Sequence, residues 1–232
     1  MAKGKKSIGW LKWLGVILLI PSLLLNGYLF SKKGTDRGIL VLEVLDGDTI
    51  LLDGKVRLRL RQLDAPELEY CAGAESKEFL EGLVKGKRVY VQEEIIDQTG
   101  RPMALVYLGN ELINQKILEN GWGKYHHDQT SKEEQLKQAG DYAKENKLGL
   151  YSSDCYQTEN LDNPDCDIKG NIDMSNSTIK RYYFPGCAQY QFAIVEKGRG
   201  EQWFCSEAEA KKAGYQKAKS CPEGEYKKNS LR

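Results

Sequence analysis

Residues 56–68 read VRLRLRQLDAPEL, and two local signals meet in them. Val56, Leu58 and Leu60 alternate with Arg57, Arg59 and Arg61, the period of a strand with one apolar face and one face of arginines. Asp64-Ala65-Pro66-Glu67 follows directly, a strand exit in which proline fixes the turn. Upstream, Asp53-Gly54 is a hairpin signal. It joins this strand to one at 50–52, and Val41, Leu42, Val44 and Leu45 form another before it. Downstream, residues 73–84 predict a helix with Phe79, Leu80 and Leu83 on one side. Residues 89–91 and 104–108 predict strands, and residues 112–119 and 132–144 predict helices. Five short strands with three helices predict a mainly β, α+β fold, a small closed barrel with helices packed on it.

The chain has 232 residues, 34 Lys+Arg against 33 Asp+Glu, and two His. That length allows one or two domains. Two histidines exclude a His-rich zinc site and leave little room for histidine-based catalysis. The net charge of +1 hides an asymmetry: residues 1–37 carry +6 and residues 38–232 carry −5. A mildly acidic body has no long-range pull on nucleic acid, so binding there needs a local cluster or a metal.

The basic N-terminus reads as a membrane segment. Lys3, Lys5 and Lys6 precede an apolar run at 13–30, near the lower limit for crossing about 30 Å of hydrocarbon. Trp10, Trp13 and Tyr28 stand at interfacial positions, and lysines ahead of the run favour an N-terminus inside and a body outside. An uncleaved signal anchor is the expectation, with a cleaved signal peptide as its rival. Six cysteines in an exported chain point to disulfides, and none forms a Cys-x-x-Cys pair. Residues 156–165 are polar and turn-rich, and 166–221 then hold four of the six cysteines. Ser206-Glu207-Ala208-Glu209 has the form of a capped helix start.

Carboxylates and arginines gather in the first half. Asp46-Gly47-Asp48-Thr49 ends the first strand, Asp64 to Glu67 follows the arginine strand, and Asp97-Gln98-Thr99-Gly100-Arg101 precedes another. Taken singly these are turns and a solvated strand face. Together they supply what phosphodiester cleavage without histidine needs. Planar guanidiniums clamp phosphoryl oxygens, a hard cation on carboxylate oxygens adds positive charge, and a spare carboxylate handles the attacking water. Asp48 and Asp64 would hold the cation, Glu67 the water, and Arg59 and Arg101 the phosphate.

In VLEVLDGDTILL (41–52), VRLRLRQLDAPEL (56–68), DQTGRPMALVYL (97–108), NELINQKILENGWGKY (110–125) and LGLY (148–151), the chain resembles the staphylococcal-nuclease-like (thermonuclease) family. The resemblance covers about residues 38–155. It implies a five-stranded OB-fold barrel with three helices, and calcium-dependent hydrolysis of DNA and RNA that leaves 3′-phosphates. By position, Asp48 and Asp64 match the family's calcium carboxylates, and Ala65 a site that offers its backbone carbonyl. Arg59 and Arg101 match the phosphate-binding arginines, and Glu67 the glutamate assigned to the water. Three features depart from the family: Thr99 stands where a tyrosine is usual, His127 replaces a base-stacking tyrosine, and the basic loop after the glutamate is shortened. Residues 38–155 carry 15 basic and 21 acidic residues, which also predicts weak ground-state binding of substrate.

The same resemblance implies a disulfide between Cys71 and Cys155. Residues 166–221 look like a small cysteine-containing module often appended to bacterial members. There Cys166, Cys187, Cys205 and Cys221 form either two disulfides or a zinc site, with disulfides favoured. The expected organisation is an N-terminal anchor and linker at 1–37, a catalytic domain at 38–155, and a linker with a small α+β module at 156–232. The expected partners are DNA and RNA as substrates and the membrane through the N-terminal helix, with the catalytic domain on the outer side. A non-catalytic nucleic-acid-binding OB module is the alternative. It is disfavoured because all five charged side chains are present and the domain is acidic.

Overall fold

The computed structural model describes residues 37–228. The expected membrane-spanning run at 13–30 lies outside them. Among the described residues, no helix is long and apolar enough to cross a membrane. From Gly38 onward the chain forms one compact unit.

Five strands build the barrel: β1 (Ile39–Val44), β2 (Thr49–Leu52), β3 (Val56–Leu60), β4 (Arg88–Ile96) and β5 (Pro102–Leu108). Their order is β3-β2-β1-β4-β5, and a parallel β3–β5 pairing closes the ring into the OB-type barrel that the sequence predicts. That closing seam is short, with Arg59 opposite Met103 and Leu60 opposite Ala104. Buried Asn114 reinforces it. Its Oδ1 accepts the Val106 N–H at 2.8 Å, and its Nδ2 donates to the Arg61 and Ala104 carbonyls at 2.9 and 3.2 Å. A buried amide so fully partnered costs little and ties the two strands together.

Three helices cover the barrel: α1 (Gly73–Val84), α2 (Ile113–Glu119) and α3 (Glu133–Glu145). α1 buries Ser76, Leu80 and Val84, one stripe at a spacing of four. The apolar interior brings together Val41, Val44, Ile50, Leu58, Leu60, Leu80, Val106 and Ile117.

The structure corrects the sequence reading in two places. β4 runs longer than 89–91 because a bulge between Gln92 and Ile95, with Glu93 at φ 50°, bends it without ending it. The three arginines also do not share one face. β3 ends at Leu60, Gln62 adopts φ 61°, and Arg61 turns inward. It donates from Nε to Asp128 Oδ2 (2.6 Å), from Nη1 to the Glu93 carbonyl (2.6 Å) and from Nη2 to the Gln129 carbonyl (3.0 Å).

Beyond the barrel, β6 (Ile168–Ile172), β7 (Lys180–Tyr183) and β8 (Gln202–Phe204) form a sheet in the order β8-β6-β7, extended by the short strand Gln216–Lys217. Its helix α4 (Glu207–Lys212) is capped as expected, Ser206 Oγ accepting the Glu209 N–H. Ile168, Tyr182, Phe184, Phe204 and Tyr215 make a second, separate core. All six cysteines are paired, Cys71–Cys155, Cys166–Cys205 and Cys187–Cys221. The four C-terminal sulfurs are therefore joined in two disulfides. Strand pairing of Tyr156–Gln157 with Val195–Glu196, a Lys197 N–H donated to the Cys155 carbonyl (2.8 Å), and a Lys124–Glu196 ion pair fasten this part to the barrel.

Candidate active site

The β1–β2 connection places Asp48. Its N–H donates to Asp46 Oδ1 (3.0 Å), and its carbonyl accepts the Leu60 N–H (2.8 Å). The residue is 2 % exposed. Gly47 is required here by close approach: a Cβ would stand 2.0 Å from Ser76 Oγ of α1 and 2.7 Å from the Ala65 Cβ. Helix, loop and strand exit thus converge on one point.

Arg59 faces Asp48 from the neighbouring strand, because Thr49 and Arg59 are register partners. Its Nη2 lies 2.8 Å from Asp48 Oδ2 and 2.7 Å from Asp64 Oδ1. One guanidinium nitrogen thus bridges two carboxylates, one entering and one leaving the hairpin at its open end. Asp48 Oδ1 accepts the Thr49 hydroxyl (2.9 Å), and Oδ2 also accepts the Ala65 N–H (2.9 Å). Burial still dominates and pushes the Asp48 carboxyl up to about 7, against the pull of Arg59 and the Ala65 amide.

Glu67 and Arg101 meet Arg59 along the rim of the same cleft. One hollow of about 750 Å³ is lined by Asp46, Arg59, Glu67 and Arg101, and an adjoining one of about 720 Å³ by Arg59, Asp64, Glu67, Arg101 and His127. Arg101 is on the same side of the barrel as Asp64. Its Nε is held 2.7 Å from Asp97 Oδ2, within its own turn, and its side chain is 59 % exposed. The Arg101 N–H and the Thr99 hydroxyl and N–H, all bound to Asp97, hold that carboxyl far below the usual carboxylate range. Thr99 therefore shapes the turn that presents Arg101. The Glu67 carboxylate is exposed and has no hydrogen-bond or ion-pair partner among the described residues. His127 stands farther along, with Nδ1 2.8 Å from Glu133 Oε1.

Sequence reasoning missed two contributors. Asp46 lines the cleft and orients Asp48 through its N–H, and the Asp-Gly-Asp pattern was the available signal. Arg61 anchors the segment that carries the two histidines through Asp128 and Gln129, and no local pattern separates it from Arg57 and Arg59.

A closed five-stranded barrel whose side bears buried and exposed carboxylates, two guanidiniums and an exposed glutamate defines an OB-fold protein with a charged cleft. The family model described as staphylococcal nuclease homologue matches residues 57–153. An uncharacterized endonuclease of Haemophilus influenzae is 33% identical over 147 residues, covering 56% of this chain and 81% of that one. The thermonuclease of Staphylococcus hyicus is 29% identical over 126 residues, covering 49% and 75%. A probable staphylococcal-like nuclease, CAN3, of Oryza sativa subsp. japonica is 39% identical over 74 residues, covering 32% and 20%. Against such longer relatives the chain spans a fifth to about a third of their length. The chain belongs to the staphylococcal-nuclease-like family.

Proposed function

We propose that this protein is a calcium-dependent nuclease that hydrolyses phosphodiester bonds of DNA and RNA with little sequence preference. In this reading residues 38–155 are its catalytic domain, held outside the cell membrane by the N-terminal segment. The observation that carries it is the position of Arg59 Nη2 between Asp48 and Asp64, in a cleft shared with Glu67 and Arg101.

The donor set suits a hard divalent ion. Asp48, Asp64 and the Ala65 carbonyl offer only oxygen, and a carboxyl raised to about 7 is one that a nearby cation would ionise. Bound there, calcium would polarise the phosphate and offset the charge that builds on it. Arg59 sits where it exchanges an intramolecular carboxylate for a phosphoryl oxygen. Arg101, on an exposed turn lining the same cleft, would supply the second planar fork to the phosphate. Glu67, unpartnered, is free to accept a hydrogen bond from the attacking water and to orient it or take its proton. His127 lines the same cleft and would offer an imidazole face to a base.

The test is digestion of supercoiled plasmid and of RNA in millimolar calcium and in chelator. Cleavage in calcium and none in chelator is expected, and equal cleavage in both refutes the metal's role. Near-normal rates in Arg59→Ala, Glu67→Gln and Arg101→Ala together would refute the site.

A further inference from the structure

Arg199, in the C-terminal part of the chain, has a guanidinium short of partners. Its side chain is only 23 % exposed. Its polar contacts are all long: Nη2 to the Asp173 carbonyl at 3.5 Å, and Nη1 to Glu201 Oε1 at 3.7 Å and Glu196 Oε2 at 3.9 Å. Arg59, Arg61 and Arg101 instead hold their carboxylates at 2.6–2.8 Å. The two nearby glutamates are committed elsewhere. Glu196 pairs with Lys124. Glu201 accepts N–H groups from Ile172 (2.8 Å), Glu196 (2.9 Å) and Asn171 Nδ2 (3.0 Å). A guanidinium with no short, bidentate carboxylate partner can exchange its long contacts for an anion that offers two oxygens.

Arg199 lines a hollow of about 430 Å³ beside Glu196 and Glu201, and it also borders a second one. With Gly198 and Met174 it walls a cleft of about 300 Å³, and across from them stand Asp64, Ala65, Lys124 and Tyr125. Asp64 and His126 line both this cleft and the main one that holds Arg101 and Glu67. Asp64, a candidate metal ligand, thus borders both hollows, with Arg101 lining one and Arg199 the other. A hollow of about 300 Å³ is of the size of one nucleotide of a single strand.

We propose that Arg199 is a phosphate-binding residue: it receives a backbone phosphate of a single-stranded nucleic acid on the side of Asp64 away from Arg101, with Tyr125 and Met174 flanking the attached nucleoside. The subsite rests on the nuclease reading of the main cleft. It makes the C-terminal part of the chain a wall of the substrate path. The planar fork of Arg199 matches two phosphate oxygens, as it would not match a neutral ligand.

The experiment is fluorescence anisotropy of labelled oligothymidylate, 12 nucleotides and 2 nucleotides long, with the full chain carrying Glu67→Gln and millimolar calcium. Adding Arg199→Gln should weaken 12-mer binding about tenfold and lower the magnitude of the slope of log K against log salt by about 0.7, one phosphate contact on a single strand. Dinucleotide binding, confined to the main cleft, should not change. Arg199→Lys should keep the salt slope, and this guards against misfolding of the glutamine variant. Equal weakening of both oligonucleotides, an unchanged 12-mer slope, or no 12-mer binding by the Glu67→Gln protein overturns the proposal. Failure of the nuclease reading shows separately, as absence of cleavage by the chain with Glu67 intact.

Discussion

Asp48 is a carboxyl in surroundings that disfavour its charge, and this gives the protein a pH signature. Its acid form is stabilised by burial, so between the ordinary carboxylate value and about 7 the folded chain binds a proton that the unfolded chain releases. Stability of the metal-free protein should therefore fall as pH rises from about 4 to about 7, by about 4 kcal/mol at most. Urea unfolding in chelator measures this, and Asp48→Asn should flatten the dependence. Calcium should be bound with proton release below pH 7 and more tightly above it, which calorimetry in two buffers reads. For the arginines, Arg59→Ala should lower kcat/KM by a hundredfold or more, about 3 kcal/mol of transition-state stabilisation. Arg59→Lys should recover little, since one ammonium cannot span the Asp48 and Asp64 oxygens and a phosphate as a fork does. At this scale the sequence was most legible where chemistry and spacing coincide. Arg59, Asp64 and Glu67 sit within nine positions and line one cleft, whereas Arg61 looked the same as its neighbours and serves a loop instead.

The β1–β2 loop works only because α1 packs on it without an intervening side chain. Gly47→Ala would drive a methyl into Ser76 Oγ and the Ala65 Cβ, atoms fixed by the Trp122 carbonyl and by the strand exit. We expect a loss of about 1–3 kcal/mol, together with a calcium affinity that falls more than the stability does; chemical unfolding and calcium titration of the same variant check both. Periodicity marked these elements well. The five barrel strands and the helices at 73–84, 113–119 and 133–145 appear within a residue or two of their sequence-based limits, except at β4 and the start of β5. β4 escaped because a bulge breaks the period of two without breaking the strand. The turn at Asp97 was legible as a turn, but its self-binding of Arg101 is a matter of rotamer that spacing does not reveal.

For the molecule as a whole, covalent and ionic ties add to what its separate apolar clusters supply. Cys71–Cys155 closes a separation of 84 residues and joins the segment after Glu67 to the end of the helical layer. Replacing both cysteines with serine should cost up to about 4 kcal/mol by the loop-entropy estimate, read as a lowered Tm without a change in which substrates are cut. Saturating calcium at a hundred times its Kd should restore about 2.7 kcal/mol to either form. The pairing of the C-terminal cysteines, open to 166, 187, 205 and 221 in several arrangements, was not legible in their spacing. Long-range strand order settles it, bringing β6 beside β8 and hence Cys166 beside Cys205.

The short β3–β5 seam has one further consequence. Arg59 rides on the join that holds the barrel shut, with two strand pairs and the Asn114 amide as its fastening. Any breathing of the ring there would move Arg59, the proposed phosphate contact, along with the seam. Gentle warming should therefore silence catalysis several degrees below the melting point, reversibly on cooling, and Asn114→Ala should widen that gap.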